Sequence, residues 1–404
     1  MERKGGSVNL LEYLRYERAP FSERPFNPVD SAALSQFCMV RAEGVVPPLR
    51  TAPRFGALGR AVRRVAGAFE RPVRFGDLLR VDQSDHLFTG LVPGRIRETL
   101  HALAANPRFR DARLHSAVSV FDEQLHTQFA AITVQLSRTL AYVGFRGTDT
   151  SITGWREDFN MACAAPVPAQ QQAADYLNAV AAQLPRACRI VVGGHSKGGN
   201  LAVYAALRAN PAAQARIERV YSHDGPGFKA GLFEQREWDA LAGRIHRTVP
   251  QESVVGMLMD MPVPAHVVRS ADHGINQHSV FLWEVANDDF AYADALAESA
   301  QRTAAVVAAW LERYSDAEVA RIVDALFRAI EVSGARDAFA VFAGGTTAWK
   351  LVVEAATRLD DDDRATLMAA LGSLAEVIAQ HVGRSIADAL PWRSGRAEGR
   401  RVSS

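Results

Sequence analysis

The residues whose spacing most directly suggests chemistry are Gly194-His195-Ser196-Lys197-Gly198. Gly-x-Ser-x-Gly sets a serine on a tight, strained turn, and the flanking glycines let a strand and a helix pass at close range. A β-branched run, Ile190, Val191 and Val192, precedes it, and an amphipathic stretch with Leu201, Ala202, Ala205 and Ala206 follows. The pattern predicts strand, turn and helix. Such an elbow exposes the Ser196 hydroxyl at a helix N-terminus, where free N–H groups favour negative charge. The Lys197 N–H then becomes a natural oxyanion donor. The competing reading, a plain tight turn, requires no partners elsewhere in the chain.

A nucleophilic serine does require them, because a base must take its proton and an acid must orient that base. In an elbow fold they follow the serine in the order acid, then histidine, on loops at the C-terminal ends of later strands. Of His223, His246, His266, His273 and His278, only the last two follow the last expected strand. His278, just before the apolar Val280-Phe281-Leu282-Trp283, is the expected base and His273 the runner-up. For the acid, Glu252 in Val249-Pro250-Gln251-Glu252-Ser253 is preferred, because it follows the strand that usually carries the acid in this fold. Asp224, in Ser222-His223-Asp224-Gly225-Pro226-Gly227, is the alternative. Without chemistry, Asp224 is a turn former and Glu252 an exposed loop carboxylate. The second oxyanion donor is expected from the loop after Val143-Gly144-Phe145, where the N–H and hydroxyl of Thr148 both face the site. Asp149, Trp155 and Asp158 are expected to brace that loop.

The elements that must position these residues follow from periodicity. Strands are predicted at 112–121, 127–136, 139–145, 188–193, 217–222, 244–249 and 266–269, with the second and third antiparallel across Leu136-Ser137-Arg138. Helices are predicted at 8–17, 31–39, 169–184, 198–209 and 230–242, with Asp30-Ser31 as the cap of the second and Pro20, Pro25 and Pro28 in an extended linker before it. Residues 50–105 read as helical with basic faces at Arg60, Arg63 and Arg64. From about 290 the pattern is helical only, at 289–313, 316–333, 336–358 and 361–389. This predicts an α/β class with a mostly parallel sheet and a C-terminal all-helical appendage, and the antiparallel start is consistent with an α/β-hydrolase fold. The expected division is an N-terminal helical segment 1–105, a hydrolase core 106–290, a helical extension 291–389 and a disordered basic tail 390–404. Packing on the core or homo-oligomer contact ranks above a lid as the role of the extension.

Composition excludes several classes. With 48% apolar and 23% charged residues in 404 and a net charge of +1, the chain reads as globular, and no nucleic-acid partner is expected. Cys38, Cys163 and Cys188 are too scattered for a disulfide framework or a metal site and read as buried thiols. The first 21 residues lack the apolar run of a Sec signal, and no stretch of about 18 apolar residues occurs, so no transmembrane segment is expected. The expected location is cytoplasmic, with export by a route needing no cleavable signal left open.

The segment YVGFRGTDTSITGWREDFNMA resembles the FRGT and W-x-x-D region of class 3 lipases, and VVGGHSKGGNLAVYAAL resembles their nucleophile elbow. The chain is still more similar to a bacterial family of uncharacterised α/β-hydrolases related to those lipases. The likeness rests on Gly194–Asn200, Asp224–Phe228, Pro250–Leu258 and the opening from Asn9, and covers roughly residues 8–290. It implies Ser196 as nucleophile and His278 as base, with Glu252 standing where class 3 lipases carry aspartate. The expected activity is hydrolysis of carboxylic esters, lipid-derived or other acyl esters by analogy, without metal or organic cofactor. A catalytically weak binding or scaffold protein, and a peptidase or thioesterase with the same triad, are the alternatives.

Overall fold

A computed structural model describes residues 8–50, 72–79, 87–88, 92–343 and 345–389 of the chain. The basic residues Arg60, Arg63 and Arg64 and the tail from 390 lie outside these. At the centre is a seven-stranded sheet of β1 (Arg113–Asp122), β2 (Thr127–Gln135), β3 (Leu140–Phe145), β4 (Arg189–His195), β5 (Ile217–His223), β6 (Ile245–Pro250) and β7 (Ala265–Val268). The strands lie side by side in sequence order. β2 is antiparallel to both neighbours, and β3 through β7 are mutually parallel.

That order decides how the sheet is covered. A sheet that grows one strand at a time in one direction through right-handed crossovers sends every crossover helix to the same face. Helices α6 (Pro168–Gln183), α7 (Lys197–Arg208), α8 (Pro211–Gln214) and α9 (Gln235–Leu241) pack there in one cluster with Phe129, Val143, Val192 and Val220. The opposite face presents Ile132, Val134, Tyr142, Val191 and Tyr221, and a buried parallel sheet needs cover on both sides. The N-terminal helices supply it: α1 (Leu10–Tyr16), α2 (Pro28–Phe37), α3 (Phe75–Leu78) and α4 (Pro93–Ala105) place Leu10, Phe37, Phe75 and Leu100 against that face. Each such fully buried side chain contributes about 1.5–3 kcal/mol. The N-terminal segment is therefore the second half of the core.

Three local expectations are corrected. α2 begins at Pro28, capped by Asn27 and closed into a capping box by Asp30, because a proline in the first turn has no N–H to lose there. The helix expected from 289 is instead a hairpin, β8 (Val285–Ala286) and β9 (Asp289–Phe290), turning at Asn287 with φ 59°. It sinks Trp283, Val285 and Phe290 into the core, and helix α10 begins only at Glu298. The helix expected over 336–358 is two, α12 (Ala338–Ala343) and α13 (Gly345–Ala356).

The all-helical appendage comprises α10 (Glu298–Leu311), α11 (Asp316–Val332), α12, α13 and α14 (Asp361–Ala389). It packs on α5 (Ile152–Asn160), the helix that follows the Thr148 loop. The ring of Phe159 meets Phe327 edge-on at 5.4 Å and stacks on Phe342 at 5.2 Å, and Trp155 stacks on Phe342 at 4.9 Å. Arg156 of α5 pairs with Asp324 of α11, and Ala338 N–H donates to Thr150 O at 3.0 Å. No helix among the described residues is long and apolar enough to cross a membrane.

Candidate active site

β4 ends at His195, and Ser196 then takes φ 58°, ψ −131°, a conformation that costs a side-chain-bearing residue about 1–3 kcal/mol. The cost is tolerated because the turn is over-determined. Ser196 N–H donates to His223 O of the adjacent β5 at 2.9 Å, and a Cβ on Gly194 would collide with the Gly198 backbone. A Cβ on Gly198 would collide with Phe145 O, and one on Gly147 would lie 3.6 Å from the Ser196 Cβ. The Gly147-Thr148 loop therefore runs against the elbow. Lys197, the first residue of α7, has an N–H with no acceptor inside the helix.

His278 closes a 3₁₀ turn, Gly274–His278, and its ring lies against the His195 ring with centroids 4.5 Å apart. Its Nδ1–H donates to Asp224 Oδ2 at 2.6 Å, leaving Nε2 as the nitrogen with the lone pair. Asp224 is fully buried and held at φ 47°, and its other oxygen accepts from Ser253 Oγ–H at 2.5 Å and Gly256 N–H at 3.1 Å. This carboxylate has a fixed orientation and a partner for each oxygen.

Glu252, the preferred acid, is not brought to His278. Its Oε2 accepts from Gly274 N–H at 2.5 Å, its Oε1 lies 3.6 Å from Nδ1 of the exposed His273, and its N–H donates to Gln277 Oε1 at 2.8 Å. Glu252 thus ties down the loop that carries His278. The physical reason is register. β5 runs one residue past its apolar pattern, and His223 pairs directly with His195. Asp224 therefore emerges next to the elbow strand, one interstrand spacing of about 4.8 Å closer than the loop after β6.

Two further histidines belong to this edge and carry no signal in the spacing. His195 Nε2–H donates to His278 O at 2.7 Å, and enclosure of its ring, with His278 beside it, pushes its pKa down to about 3. His195 is thus a neutral strut under the His278 loop. His223, fully buried between Thr248 Oγ1 at 2.7 Å and Ser31 Oγ at 3.0 Å, is held well below the usual histidine pKa by burial.

On the other side of Ser196, the Thr148 hydroxyl donates to Asp158 Oδ2 at 2.5 Å. That proton is committed, so the hydroxyl does not face the site as expected. Asp149 accepts from Ser151 N–H at 2.8 Å, and Trp155 Nε1–H donates to Asp149 O at 3.0 Å. Behind the loop, Lys197 turns its ammonium inward, Nζ donating to Glu157 Oε2 at 2.5 Å. Among the described residues no group of three or more His, Cys, Asp or Glu side chains could hold a metal ion.

Residues 103–328, more than half of the chain, match the Mbeg1-like family. The chain belongs to the Mbeg1-like family. This family is related to lipases, and the match spans the elbow, the Asp224 turn and the His278 loop of the Mbeg1-like chain. The crystal structure of M37 lipase is similar at 17% identity with a TM-score of 0.31, over 45% of this chain and 65% of that one. The Mbeg1-like chain thus spans less than two thirds of that lipase's length. No curated protein matches the chain.

Proposed function

We propose that the chain is a serine hydrolase of carboxylic esters. The observation that carries this reading is the His278–Asp224 hydrogen bond of 2.6 Å, made by a histidine whose ring packs on that of His195, the residue before a strained elbow serine. Ser196 Oγ attacks the ester carbonyl carbon while its proton passes to His278 Nε2. Asp224 stabilises the imidazolium that results. The carbonyl oxygen becomes an oxyanion, met by the N–H groups of Lys197 and Thr148. Collapse expels the alcohol, which takes the proton from His278 and leaves an acyl-Ser196. Water, deprotonated by His278, then attacks that acyl group and releases the carboxylic acid. Acyl or lipid-derived esters are the proposed substrates, on the likeness to class 3 lipases.

The test is fluorophosphonate labelling of the wild type beside Ser196→Ala, with turnover of a short-chain p-nitrophenyl ester. Labelling of wild type alone and a loss of about 10³-fold or more in kcat for Ser196→Ala are expected. A folded wild type that neither labels nor cleaves the ester overturns the reading in favour of a binding module. Preference for thioester or peptide substrates in the same assay would reassign the substrate class.

A further inference from the structure

The Lys197 side chain is 1% exposed, and an ammonium is buried that deeply only when something needs its charge. Glu157, its nearer partner and as deeply buried, accounts for only part of that need. Glu157 Oε1 accepts from Ala169 N–H at 3.0 Å in the first turn of α6, and Oε2 accepts from Gln128 N–H at 2.9 Å. Two amides, one of them at a helix N-terminus, share with the lysine in compensating that carboxylate.

Asp158 is differently placed. Oδ2 accepts from the Thr148 hydroxyl, whereas Oδ1 is buried without a hydrogen-bond partner and has the Lys197 Nζ 3.5 Å away. The charged groups facing it are Lys197 from α7, which favours its ionised form, and Glu157 from its own helix, which opposes it. Arg156, on the same helix, turns away to Asp324 and Glu331. Burial pushes the Asp158 pKa up to about 6 even against the lysine. An ionised carboxylate accepts a strong, charge-assisted bond from a hydroxyl, and a protonated one can reverse that bond.

We propose that Lys197 is a positioning residue for the oxyanion site: its ammonium keeps Asp158 an acceptor for the Thr148 hydroxyl and so clamps the loop carrying the second oxyanion donor. The inference rests on the ester-hydrolase reading and deepens it. One residue serves both halves of the site, its N–H directly and its ammonium through Asp158 and Thr148.

The experiment compares wild type, Lys197→Met and Asp158→Ala. Lys197→Met is expected to lose about tenfold or more in kcat on the p-nitrophenyl ester with KM little changed, since loosening an oxyanion donor weakens the transition state more than the ground state. The acid limb of its pH profile moves to higher pH, because without the lysine Asp158 ionises later. Carboxyl ¹³C NMR titration of Asp158 shows the same upward shift. A fault of folding alone would lower turnover without moving the limb. If Lys197→Met does not fold, Asp158→Ala removes the acceptor of the Thr148 hydroxyl while leaving the Lys197–Glu157 pair in place, and is expected to lose kcat to a similar degree. Wild-type turnover in either folded variant, or an Asp158 titration unmoved by Lys197→Met, overturns the proposal. A wild type inert to ester and fluorophosphonate sinks the hydrolase reading and the catalytic use of the clamp together, and the titration still decides whether Lys197 holds Asp158 ionised.

Discussion

Two buried charged sites in this protein are built to opposite standards. Under the N-terminal cover, Arg108 uses all five of its N–H donors: Nε and Nη2 on Asp30 at 3.0 and 2.5 Å, and the others on the carbonyls of Ala19, Arg24 and Pro25. Asp30 also accepts from Tyr13 OH at 2.9 Å and Asn27 N–H at 3.1 Å. Behind the elbow, by contrast, Asp158 Oδ1 has no hydrogen-bond partner, and Gln128 Oε1, Arg156 Nε and Ser222 Oγ nearby are also buried and unpartnered. Ser196 and Asp224 both take left-handed backbone conformations. A saturated network fixes one arrangement of the chain, whereas an unsaturated one retains polar capacity that a reaction can use. The Arg108 site fastens α1, α2 and the proline-rich segment to the core. The elbow site is where the fold accepts strain and missing bonds.

The sharpest way to break this contrast is Asp224→Asn. The amide oxygen can still accept from Ser253 and Gly256, so the fold should hold. The Nδ2 group then faces His278 Nδ1 as a donor and forces the proton onto Nε2, the nitrogen proposed to take the Ser196 proton. A loss of about 10⁴-fold in kcat is expected, by analogy with the same change in other Ser-His-Asp sites. The assay is ester turnover beside circular dichroism to show that the fold persists.

Arg108→Met should reverse the pattern. Removing one partner of a buried pair strands Asp30 without its cation, at an expected cost of about 3–5 kcal/mol in urea unfolding. Below the lowered Tm, the pH profile of ester turnover should keep its shape, because nothing in the Arg108 network touches Ser196, His278 or Asp224. A shifted profile would mean that the cover and the elbow are coupled, and the contrast would fail.

These two sites also separate what was legible in the sequence from what was not. The elbow is local: β-branched run, Gly-x-Ser-x-Gly and an alanine-rich helix are contiguous, and strand–helix alternation gave the mostly parallel sheet. What depended on tertiary register was hidden. Asp224 and Glu252 are both acids after strands, and the choice between them turns on β5 running on to His223 and on a left-handed backbone at Asp224, neither encoded in apolar periodicity. Lys197 and Glu157 are forty positions apart in the chain, and a lysine beside a serine reads as surface until the fold closes over it. The hairpin at 285–290 was hidden for the same reason. Asp289 and Phe290 fall at the start of the helical pattern expected over 289–313, and it is pairing with Val285 and Ala286, with Trp283 and Phe290 buried, that makes them a strand instead.

The smallest expected effect is the most discriminating of the carboxylate tests. Glu252→Gln keeps the side-chain length and still offers an oxygen to Gly274 N–H, losing only the charge on a bond at a partly exposed site. Exposed charges of this kind contribute little, so ester turnover should fall by no more than about threefold and stability should hardly change. If the loop tie matters, the loss should appear at temperatures where the Gly274–His278 turn loosens and vanish on cooling, because Gln277 also holds that turn through Asp272 O at 2.7 Å. A loss comparable to that of Asp224→Asn at every temperature would instead mean that Glu252 reaches His278 during turnover, and the acid would have to be reassigned.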